Sequence, residues 1–151
     1  MREIQFRGER IDNGEWVYGN LIKMDSEGSQ CFIFPFFEYA SSRTCAHIVA
    51  RGMIAVIPET VGQCTGLKDK KGKEIYEGDV VLAECNATMQ TKRQIKTHKC
   101  KVVYSSDFHG WSFPIVDMPT EAPATSRATS YFRFGYKGDA LEVIGNIHEG
   151  N

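Results

Sequence analysis

Residues 72–83 read Gly72-Lys73-Glu74-Ile75-Tyr76-Glu77-Gly78-Asp79-Val80-Val81-Leu82-Ala83. A polar turn gives way to Ile75-Tyr76, Glu77-Gly78-Asp79 makes a tight corner, and an apolar run follows. Val and Ile branch at Cβ and suit a pleated, half-buried surface better than a helix. The run is also shorter than the ten to twelve residues a helix needs. A strand entered through a Gly-Asp corner is a frequent start to a small barrel.

The same texture extends outward in both directions. Just upstream, Asp69 to Gly72 forms a β-turn in which Gly72 supplies positive φ. Before it, Pro58-Glu59-Thr60-Val61-Gly62-Gln63 carries a turn start and few apolar residues, enough for one helical or 3₁₀ turn. Met53 to Ile57 reads as a strand. Cys31-Phe32-Ile33-Phe34 reads as another, ending or lying at an edge at Pro35, which has no N–H to donate. Alternation puts Phe32, Phe34 and Phe36 on one face and Ile33 and Phe37 on the other. Apolar residues on both faces imply a central strand or a subunit contact, and a homo-oligomer is expected. Asn13-Gly14 predicts a hairpin joining the Ile4/Phe6 strand to the Trp16/Tyr18 strand. Thr44 to Ala50 can return as a strand. Downstream, Lys101–Tyr104, Trp111–Phe113, Tyr131–Phe134 and Leu141–Ile147 read as strands, with turns at His109-Gly110 and Lys137-Gly138-Asp139. No 12-residue stretch shows helical periodicity. The pattern is all-β, a barrel or sandwich.

The chain has 151 residues, 42% hydrophobic and 25% charged, an ordinary globular composition for about one domain. Lys plus Arg is 18 and Asp plus Glu is 19, a net charge of -1, which argues against a strongly basic nucleic-acid binder. The longest apolar runs are about six residues, whereas a membrane span needs roughly 20. The N-terminus lacks the apolar core of a signal peptide. Five cysteines, an odd number with no CxxC pair, fit buried thiols better than a disulfide framework. These features predict a cytoplasmic protein.

Catalytic signatures are sparse. His47, His98, His109 and His148 form no HxH or HExxH pair, and Cys85, His98, Cys100 and His109 make a poor metal set, so no metal and no cofactor is expected. There is no GxSxG elbow. Gly66 to Lys73 resembles a phosphate loop only faintly, ending in Lys-Glu without a strand–loop–helix context. Asp69, Glu74, Glu77 and Asp79 are interleaved with Lys68, Lys70, Lys71 and Lys73, a salt-bridged loop more than a carboxylate pair. A small metal-dependent hydrolase using Asp69, Glu74 or Asp79 is an alternative. Between Asn86 and Ser106 lie Lys92, Arg93, Lys96, Lys99 and Lys101 with no acidic residue. This positive ribbon could meet nucleic-acid phosphates, or it could simply guard a sheet edge.

Three stretches resemble the YopX family of phage and prophage proteins. They are Met1 to Gly8 with Asn13 to Gly19, then Pro58 to Asp69 continuing through Gly72 to Val81, and Glu142-Val143-Ile144-Gly145-Asn146-Ile147-His148-Glu149. The resemblance implies a small SH3-like, partly open barrel with an additional β-rich N-terminal part. The division expected is 1–57 for the N-terminal part and 58–151 for the barrel with variable insertions. It also implies a bacterial-cytoplasm setting, assembly into oligomers and no catalytic residues to transfer. Gly62, Gly66, Gly72 and Gly78 make a compact series of turns expected to present Glu59, Thr60, Gln63, Thr65 and Asp69, with Asp79 beside them, to a phage or host partner. The function expected is a non-enzymatic binding or assembly protein, with nucleic-acid binding as the alternative.

Overall fold

The structure is a computed structural model describing residues 4–24, 30–35, 52–86, 95–107, 109–116 and 141–149. It is built from β-strands in antiparallel sheets, with no closed barrel among the described residues. Two compact units are present, Met1–Cys64 and Thr65–Asn151. The units part at 64/65, inside a strand.

In the first unit, β1 (Phe6–Glu9), β2 (Trp16–Lys23), β3 (Cys31–Pro35) and β4 (Ile54–Val56) are neighbours in the order β4-β3-β2-β1. The β1–β2 hairpin turns at the expected Asn13-Gly14, with Gly14 at φ 72°. β4 also returns to the end of β1. Arg10 bridges Val56, the Ile11 N–H donates to the Ala55 carbonyl at 3.2 Å, and the Ile57 N–H donates to the Glu9 carbonyl at 2.9 Å. The strand ends therefore satisfy one another's backbone groups. The core is Val17, Cys31, Ile33 and Val56, flanked by Phe6, Leu21, Ile54 and Val61. On β3 the inward face belongs to Cys31 and Ile33, and Phe32 and Phe34 lie half-buried on the other. β3 lies between β2 and β4, so apolar residues on both faces mark a central strand. Phe36 and Phe37 lie outside the described residues, as do the expected strands at 44–50 and 131–134.

Two glycines allow this packing. A Cβ on Gly8 would lie 2.9 Å from the Val56 side chain, and one on Gly19 would overlap the carbonyl oxygen of Phe34.

Residues 58–60 form the expected 3₁₀ turn. β5 (Gly62–Lys68) starts in the first unit, pairing Gly62 with Arg7 and Gln63 with Phe6. It ends in the second unit beside β6 (Glu74–Tyr76). β7 (Asp79–Asn86) then pairs with β8 (Ile95–Lys101) and β11 (Leu141–Asn146) in the order β11-β7-β8. β9 (Val103–Ser105) and β10 (Gly110–Ser112) form a separate hairpin. The strand expected over 101–104 is thus broken at Val102, whose N–H donates to the Asp79 carbonyl at 2.8 Å. The second core comprises Ile75, Val81, Ala83, Cys100, Val102, Phe113 and Leu141. Each fully buried aliphatic there contributes about 1.5–3 kcal/mol. Cys31, Cys64 and Cys100 are buried thiols, as expected of small apolar fillers.

Candidate functional site

The glycine-rich motif was expected to display its polar side chains. Four of them instead turn inward and hold backbone. Thr60 is buried; its Oγ1 donates to the Ile57 carbonyl at 2.7 Å and accepts the Glu9 N–H at 2.9 Å. Buried Thr65 donates to the Ile75 carbonyl at 2.8 Å and accepts the Leu67 N–H at 3.1 Å.

Asp69 is the hub of the next turn. Its Oδ1 accepts the N–H groups of Lys71 and Lys73, both at 2.8 Å, and its Oδ2 accepts that of Val143 on β11 at 3.2 Å. Burial pushes this carboxyl up, but the backbone donors and the charge of Lys71 outweigh it and hold it below the ordinary aspartate value. The expected turn is closed by the Gly72 N–H donating to the Asp69 carbonyl at 2.9 Å, with Gly72 at φ 82°. At the following corner, Asp79 is 1% exposed and its Oδ2 accepts the Tyr76 N–H at 2.9 Å. Gly78 takes φ 83°, and its carbonyl accepts the Ile147 N–H at 3.0 Å. Asn146 completes the arrangement, its Oδ1 accepting the N–H groups of His148 and Glu149. The central and C-terminal motifs therefore meet as turn and strand. Of the six expected contact residues only Glu59 is exposed and Gln63 half-exposed.

Glu74 accepts the Tyr76 hydroxyl at 3.1 Å. Among the described residues no group of three or more His, Cys, Asp or Glu side chains could hold a metal. No helix among them is long and apolar enough to cross a membrane.

The basic segment divides. Lys92 and Arg93 lie outside the described residues, and Lys96 is described only as a backbone position on β8. Lys99 is exposed and Lys101 half-buried. Cys100 between them is fully buried, so alternation directs both lysines to the outward face of the three-stranded sheet. Register aligns Lys99 with Leu82 and Glu142, and Lys101 with Val80 and Gly145. Val80 and Leu82 are half-exposed there, and Ile144, at a bulge in β11, is 43% exposed. At the β11 side, Lys70 Nζ lies 2.7 Å from one Glu142 carboxylate oxygen and Lys71 Nζ 2.6 Å from the other. The hydrogen bonds from Lys70 and Lys71 hold the Glu142 carboxyl below its ordinary value. The participation of Lys70, Lys71 and Glu142 was not readable from the charged loop alone. The available signal was the alternation of β11, which turns Glu142 away from Leu141 and Val143.

These features define an all-β protein whose motif residues brace turns and whose second unit carries a lysine-edged sheet face. A model of the YopX protein family matches residues 5–151, and the chain belongs to that family. Among solved structures, the crystal structure of protein EF1440 from Enterococcus faecalis is similar to it. The TM-score is 0.51 at 20% identity, covering 99% of this chain and 96% of that one, a likeness of fold. No match was found among curated proteins.

Proposed function

We propose that the chain is a phage- or prophage-encoded, non-enzymatic binding protein that acts as a homo-oligomer in the bacterial cytoplasm. On this reading its C-terminal part is a partly open SH3-like barrel, and the outward face of β11-β7-β8 is its recognition surface. One observation carries the reading. The motif carboxylates best suited to chemistry, Asp69 and Asp79, already accept backbone N–H groups of their own fold. A general base must reach a substrate proton, and a carboxylate committed to turn closure is poorly placed to do so.

The test is capture from lysogenic or infected cells, with bound protein and nucleic acid both identified. Capture that is lost in a folded K99E/K101E variant supports the reading. A metal-dependent hydrolytic activity that is lost in a folded E74Q variant overturns it and favours the hydrolase alternative.

A further inference from the structure

We propose that the outward face of the β11-β7-β8 sheet binds single-stranded nucleic acid, and that Glu142 occupies a phosphate position until the strand displaces it. This rests on the binding-protein reading above and names the partner of that face.

The face has an apolar floor and two basic rims. Val80 and Leu82 on the central strand are half-exposed, with Ile144 beside them. Lys99 and Lys101 form one rim. They are two residues apart on β8, hence about 7 Å along the strand, comparable to the separation of successive phosphates on an extended chain. Lys70 and Lys71 form the other rim, across the β11 side. Glu142 and Lys99 are separated by two inter-strand spacings, about 10 Å. Four lysines stand against Glu142, against Glu149, whose carboxylate lies beside Gly145, and against Glu84, two positions beyond Leu82, a local charge of +1 on a chain whose total is -1. Beyond Leu82 the register continues to Glu84, opposite Thr97, and to Asn86, opposite Ile95.

The Lys70–Glu142–Lys71 cluster indicates the ligand chemistry. Two ammonium groups converge on the two oxygens of one carboxylate at 2.7 and 2.6 Å, a geometry that a phosphate can adopt. The lysine side chains are 40% and 69% exposed, so the pairs are weak and an incoming anion can replace Glu142. The apolar floor favours a single strand over a duplex, because only unpaired bases can lay a face on Leu82 and Val80.

The experiment is fluorescence anisotropy with a labelled oligo-dT, the matching duplex and a poly-glutamate peptide, over about 50–200 mM salt. The full chain and its variants are used, each checked for folding by circular dichroism. The expected result is binding of oligo-dT in preference to both competitors. K99E/K101E should weaken it at least about tenfold and lower the salt slope by about one to two. E142Q should tighten it about threefold or more by removing the competing charge, and L82S should weaken it with the salt slope unchanged. No oligo-dT binding at low salt by the folded chain overturns the proposal, as does equal binding of poly-glutamate or an E142Q affinity equal to the parent's. If oligo-dT fails but a host protein is captured through Lys99 and Lys101, this inference falls and the binding-protein reading stands. If an activity dependent on Glu74 replaces both, both fall.

Discussion

The two units close their sheets by different means. In the first, strand ends satisfy one another: Arg10 bridges Val56, and Glu9, Ile11, Ala55 and Ile57 exchange backbone hydrogen bonds. In the second, side chains do much of the closing. The side-chain oxygens of Asp69, Asp79 and Asn146 together accept six backbone N–H bonds at turns or strand ends. Closure by backbone demands close approach and is sensitive to volume. Closure by carboxylate tolerates looser spacing and is sensitive to protonation.

Substitution can break this contrast. The largest effect is expected from Gly19→Ala, whose Cβ overlaps the Phe34 carbonyl. Separating β2 from β3 should cost about 3 kcal/mol, read as a lowered urea midpoint. The two tryptophans, Trp16 and Trp111, fall one in each unit. In a W111F background, Trp16 fluorescence should therefore report this loss directly. Asp79→Ala should cost about 2–3 kcal/mol by leaving the buried Tyr76 N–H without its acceptor. It should be read by Trp111 in a W16F background.

Asp69→Asn keeps one carbonyl acceptor and loses the other, at about 1–2 kcal/mol, and it sharpens the contrast through pH. The Asp69 carboxyl is lowered on folding, so the stability it contributes is complete above the ordinary aspartate value near 3.9. That stability is lost as pH falls through the lower folded value. The parent's Trp111 transition should weaken over that acid range, and D69N should flatten the dependence. Glu59→Ala, at the exposed motif position, should stay within about 0.5 kcal/mol of the parent in thermal melts.

Turns were legible in the sequence because their chemistry is local. Gly14, Gly72 and Gly78 supply positive φ where the dipeptides require it. β5 and the start of β8 were not legible. β5 holds Gly62, Gly66 and Gln63 among its seven residues, with no run of β-branched side chains, and it becomes strand through pairing and burial. Ile95 to Thr97 is strand because β7 runs beside it. The candidate site divides the same way. A row of lysines can be read from composition, and Lys99 and Lys101 lie side by side along β8. Which way a turn residue points cannot be read so, and Thr60, Thr65, Asp69 and Asp79 point inward. Lys70 and Lys71 join Glu142 only after β11 returns from far along the chain.

The pairing of Gly62 and Gln63 with β1 bears on how the chain survives clipping. A protease cutting after Ile57 removes the Thr60 acceptor from Glu9 and the two β5 residues that cover Phe6 and Arg7. The released N-terminal fragment keeps its hairpin but carries a bare β1 edge, the kind of template on which strands from other copies add. A cut after Cys64 leaves that edge covered. The seven residues between the two cuts therefore carry the cover of the β1 edge.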